Sequence, residues 1–85
     1  MNKNENDAEL LKAMGHPVRL KILRGIARDE CSVSKIVDKF GLPQSTVSQH
    51  LAILRKCGAV WLRKEGVKTC YYLNDERVRR ILQLL

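Results

Sequence analysis

The spacing of apolar residues changes once along this 85-residue chain, and the change falls at Gly58. Before it, apolar side chains recur every three or four residues; between Ala59 and Leu73 they alternate with polar ones. Such a chain can fold as a group of short helices followed by one hairpin, with no long sheet. The expected class is mainly α with a small β-hairpin (α+β), a single domain over residues 1–85 in which residues 1–6 are loose. A chain this short buries a thin core, leans on oligomerisation, and has no room for the deep, water-excluding pocket of an enzyme. No apolar run exceeds four residues, so no membrane span or leader core is expected and the protein reads as cytoplasmic.

Helix signals punctuate the first part. Asp7 can cap a first helix carrying Ala8, Leu10, Leu11 and Met14 up to Gly15, and Pro17 suits the first turn of a second with Val18, Ile22, Leu23 and Ile26 inside. Ser32 is a good N-cap for a third, where Val33, Ile36, Val37 and Phe40 fall at i, i+3, i+4 and i+7 before Gly41 stops it. A fourth runs from about Gln44 with Val47, Leu51 and Leu54 inward. A hairpin centred on Glu65-Gly66 would pair Lys64 with Val67, Leu62 with Thr69 and Val60 with Tyr71. That register puts Val60, Leu62, Val67, Tyr71 and Leu73 on a core face and Trp61, Arg63, Lys68, Cys70 and Tyr72 on the other. Asn74 or Asp75 caps a last helix with Val78, Ile81, Leu82 and Leu85 in helical register.

Charge points to the partner. Sixteen Lys and Arg against nine Asp and Glu give +7. Residues 1–40 contribute eight basic and six acidic side chains, net +2, and residues 41–85 eight and three, net +5. A polyanion should therefore meet the second half. The third and fourth helices, joined through Phe40-Gly41-Leu42-Pro43, have the layout of a helix-turn-helix. The outer side of the fourth carries Gln44, Ser45, Thr46, Ser48, Gln49 and His50 in place of the Glu and Lys of an ordinary solvated face. Amides and hydroxyls suit base edges and do not repel phosphate. The hairpin tip adds Arg63, Lys64 and Lys68, suited to phosphates or a minor groove. Together these are a winged helix-turn-helix for double-stranded DNA. The reading from another class is the same fold as a protein-interaction module without sequence-specific DNA binding.

From Leu10 to Leu85 the chain resembles the ArsR family (ArsR/SmtB type) of bacterial winged-helix repressors, through LLKAMGHPVRLKILRGI, SKIVDKFGLPQSTVSQHLAILRKCGAV and RKEGVKTCYYL. The resemblance implies a homodimer on an imperfect palindromic operator, released by a signal. It carries base contacts to Gln44, Ser45, Ser48 and Gln49 and wing contacts to Arg63, Lys64 and Lys68. It also implies a two-fold interface from the first and last helices, here Leu10, Leu11, Met14, Val78, Ile81, Leu82 and Leu85. The family's sensor sites do not carry over. Where metal-sensing members have a Cys-Val-Cys pair this chain has Ser32 and Ser34, and its last helix has no histidine for a zinc site. Nor do the second and last helices supply the cysteine pair of persulfide sensors; for a cadmium-type thiolate pair, Cys57 has only Ile53 as mate. Neither metal nor cofactor is expected.

Three cysteines, at 31, 57 and 70, form no CxxC and no obvious disulfide framework. Cys31 beside Asp29 and Glu30 reads as idle, and Cys57 as helix-end packing. Cys70 is the candidate redox sensor, because Lys68 and Arg63 nearby would favour its thiolate. His16, before Pro17, reads as a turn residue rather than a ligand.

Overall fold

In the computed structural model, which describes residues 2–28 and 32–85, the helical part comprises α1 (Lys3–Met14), α2 (Pro17–Ala27), α3 (Val33–Phe40) and α4 (Gln44–Lys56). An antiparallel hairpin of β1 (Val60–Glu65) and β2 (Lys68–Leu73) follows, then α5 (Glu76–Leu84). The reading of Cys31 with Asp29 and Glu30 lies outside the described residues.

Most boundaries follow the capping chemistry in the sequence. Ser32 Oγ accepts from the Lys35 N–H at 3.2 Å, and Gly41 ends α3 at φ 65°, a left-handed conformation that costs glycine little. Pro17 occupies the first turn of α2, whose cap is His16: its Nδ1 accepts from the Val18 N–H at 3.1 Å. Asp75 caps α5. The first helix differs from expectation. It begins at Lys3, because Asn2 Oδ1 accepts from the Glu5 N–H at 2.9 Å, a cap five residues upstream of the expected Asp7. Residues 3–6 are thus helical. Asp7, freed from capping, meets the Arg77 guanidinium of α5 at 2.7 Å.

The hairpin is also corrected. Val60 pairs with Leu73, Leu62 with Tyr71, Arg63 with Cys70 and Glu65 with Lys68. The turn is therefore Gly66-Val67, one residue along from the expected Glu65-Gly66, and each partner shifts by two. A two-residue hairpin turn of this kind needs positive φ at its first central position, which Gly66 supplies at 65° and Glu65 would not. A slip of two preserves the faces. Val67, expected in the core, sits at the tip and is fully exposed.

The core joins α1 through Leu10, Ala13 and Met14 to α2 through Ile22, Leu23 and Ile26. Ile36, the inward residues of α4, Val60, and Val78 and Leu82 of α5 complete it. Strand β2 is the inner strand: α2, α3 and α5 all pack against it, and Ser32 bridges to Cys70 along its open edge. No described helix is long and apolar enough to cross a membrane.

Candidate DNA-binding surface

Helix α4 divides its residues by the 3.6-residue period. Val47, Leu51 and Leu54 point inward and are fully buried, which fixes the rotation of the helix and sends Gln44, Ser45, Ser48 and Gln49 outward. Thr46 is half-buried at the margin. No side chain caps the start of α4, where Pro43 stands, so its first amides remain donors for an anion. The exposed, uncharged strip thus begins at the positive end of a helix dipole.

His50 departs from the DNA-facing set. It is half-buried, with its ring centroid 4.7 Å from that of His16 at the start of α2. Burial is the main reason its pKa is lowered, with the neighbouring His16 and Arg19 adding to it. A side chain so placed holds α4 against α2 and is not presented with Gln49. Position 50 lies on the border between the inward and outward arcs, so helical period alone did not decide its side.

Arg63, Lys64 and Lys68 are all exposed at the hairpin end. Their arm is stiffened by a feature the sequence reading missed: Trp61 stacks on Tyr72, ring centroids 4.8 Å apart, and the Tyr72 hydroxyl donates to Glu65 at 2.7 Å. That bond, with a smaller one from Cys70, holds the Glu65 carboxyl below its usual pKa; the Arg63 and Lys68 charges add to the effect. Cross-strand register was the missing signal, since Trp61 faces Tyr72 only in the observed pairing.

Cys70 does not present the accessible thiolate that was expected. It is 1% exposed, lies opposite Arg63 rather than Trp61, and shares its face with the Glu65 carboxylate. A reactive sensor thiol needs access and a cationic setting, and here the first is missing and the second is offset by an acid. Cys57 is half-buried at the end of α4, its thiol donating to the Leu54 carbonyl at 3.3 Å. Ser32 is buried and acts as a helix cap, its Oγ 3.4 Å from that of Ser34. Among the described residues no three His, Cys, Asp or Glu side chains converge as a metal site would need.

The expected interface residues divide. Leu10, Met14, Val78 and Leu82 are buried within the protomer's own core, Ile81 is half-buried, and only Leu11 and Leu85 are exposed. Leu84, which the sequence reading omitted, is 86% exposed beside Leu85 at 71%. The thin core consumes the first four because each lies on the side of α1 that meets α2 and α4 or the side of α5 that meets β2.

A buried helix pair carrying an uncharged polar recognition strip, followed by a stiff basic hairpin, defines a winged helix-turn-helix DNA-binding protein of the regulatory kind. Residues 16–60 match the family described as bacterial regulatory protein, arsR family, and the chain belongs to that family. It is 46% identical over 86 residues to an uncharacterised HTH-type transcriptional regulator of Methanocaldococcus jannaschii, covering 100% of this chain and 97% of the other. Transcriptional repressor PagR of Bacillus anthracis is 45% identical, over 95% of this chain and 82% of its own. Among solved structures, reduced HlyU from Vibrio cholerae superposes with a TM-score of 0.90 at 39% identity, covering 96% of this chain and 86% of that one. These relatives are regulators of transcription and not enzymes.

Proposed function

We propose that the chain is a homodimeric transcriptional repressor of the cytoplasm. Its two α4 helices enter successive major grooves of an imperfect palindromic operator, and its hairpins hold the flanking backbone. The observation that carries this reading is the outward strip of Gln44, Ser45, Ser48 and Gln49, uncharged and exposed, set beside the Arg63, Lys64 and Lys68 wing. Thr46, at the margin, supports the backbone contacts. A homodimeric winged helix-turn-helix DNA-binding domain from Mycobacterium bovis, described as a possible ArsR-family regulator, superposes with a TM-score of 0.86 at 32% identity. It supports the same assembly here. The interaction-module reading is disfavoured, because the first two turns of α4 offer a partner no exposed apolar side chain. PagR is named a repressor and HlyU of Vibrio cholerae an activator. Repression is preferred here on the weight of relatives so named.

The roles of strip and wing separate experimentally. Gln49→Ala is expected to lower affinity for the best site by about 1 to 3 kcal/mol and to relax preference at one base pair. Lys68→Ala weakens all sequences alike and lowers the salt slope by about one. Competition binding against a randomised operator library at two salt concentrations reads both. Uniform losses in the two variants would show that α4 does not read bases directly.

A further inference from the structure

Away from the DNA-binding face, the end of α2 and the side of α5 enclose a shallow cleft of about 240 Å³ lined by Arg24, Ala27, Arg28, Arg79, Leu82 and Gln83. We propose that this cleft is a binding site for a small phosphate-bearing anion. Three arginines, from the end of α2 and the side of α5, line it, and among the described residues no carboxylate does. Arg24 and Arg79 are half-buried, yet among the described residues neither they nor Arg28 is held by an ion pair or a side-chain hydrogen bond. Guanidinium stays charged at all accessible pH, so withdrawing two such groups from water toward a third costs free energy that an anion would offset.

The helix ends explain only part of the cluster. Arg24 stands in the last turn of α2, where a cation complements the carbonyl end of the dipole, and Arg28 follows directly after it. Arg79 has no such reason to be there: it lies in the first half of α5, where the dipole favours negative charge. Arginine's planar fork matches the paired oxygens of a phosphate, and Gln83 adds an amide donor at the rim. The cleft suits a phosphate or diphosphate group better than a drug-sized molecule. At about 100° per residue, Arg79 stands about 140° around α5 from Leu84, and Gln83 about 100°. A dimer formed through Leu11, Leu84 and Leu85 therefore leaves the Arg79 side of the cleft open. The two possible sources of phosphate are a free small molecule and the DNA backbone; the position of the cleft on the dimer helix favours the first.

Calorimetric titration of the purified protein with inorganic pyrophosphate tests the site. Saturable binding is expected, weakened tenfold or more in Arg24→Gln and in Arg79→Gln, with circular dichroism confirming that both fold. Lys64→Gln and Lys68→Gln should leave it unchanged. No binding by the wild-type chain overturns the proposal, as does equal binding by the Arg24→Gln/Arg79→Gln double variant. DNA affinity measured in parallel, without pyrophosphate, separates the sources. It should be unchanged in Arg79→Gln, and a loss there would assign the cleft to DNA phosphate and overturn the small-ligand assignment. Because the wing and α4 variants report DNA binding independently, failure of this site leaves the reading of the DNA face standing.

Discussion

Protonation of His50 is opposed by its burial, by the His16 ring 4.7 Å away and by the Arg19 charge. Its Nδ1 is buried and makes no hydrogen bond to a described residue, so the ring gains nothing from an added proton there. The folded pKa lies below the ordinary 6.5 that the unfolded chain retains. Between those two values the unfolded state binds more protons, so stability rises with pH and is lost as the pH falls. The loss starts as pH drops through about 6.5 and is complete below the folded value. Urea unfolding at about pH 7.5 and about pH 5.5 should show this loss in the wild-type chain and a smaller one in His50→Gln. An equal loss in both would place the sensitivity elsewhere. Cys70 illustrates the same point about surroundings: Lys68 lies two positions away in sequence, but its neighbours in space include Glu65 and a covering of helices.

Each helix of the DNA-binding unit is held by the connection before it. Gly41 adopts φ 65°, with nothing within 4 Å of where a Cβ would be, so the obstacle to a side chain there is backbone strain alone. Its N–H donates to the Val37 carbonyl at 2.9 Å, and this cap sets the angle at which α4 leaves α3. Gly41→Ala should therefore cost about 1 kcal/mol, read as a lower urea midpoint with an unchanged slope. DNA affinity should fall as well, since the uncharged strip of α4 would be turned away from its partner. The hairpin owes its stiffness to cross-strand contacts rather than to its turn. Trp61 on Tyr72 and Tyr72 on Glu65 tie both strands together at two levels below the tip.

At the scale of the molecule, apolar surface left over after folding decides assembly. Leu11, Leu84 and Leu85 remain exposed on the first and last helices, which Asp7 and Arg77 join at 2.7 Å. A second copy related by a two-fold axis can cover such a face. Leu84→Asp with Leu85→Asp should reduce the sedimenting mass to about half while the helical circular dichroism persists. Leu82→Asp is expected to behave differently, because Leu82 is 8% exposed in the single protomer and a carboxylate there disrupts the core itself. A folded dimer surviving Leu84→Asp with Leu85→Asp would move the interface to another surface.

Local signals alone determined much of this protein. Period, caps and breakers placed α2, α3, α4 and α5 and their joining glycines, because a cap or a left-handed residue acts within a few bonds of itself. The outward strip of Gln44, Ser45, Ser48 and Gln49 was equally legible, since one buried stripe fixes the rotation of a helix. What tertiary structure alone decided are the choices between neighbours far apart in sequence. Sequence could not say that Leu10, Met14, Val78 and Leu82 would be spent inside the protomer, that His50 would turn toward His16, or that Cys70 would be covered. Amphipathic pattern tells which side of an element avoids water, and only the packed arrangement tells which other surface does the covering.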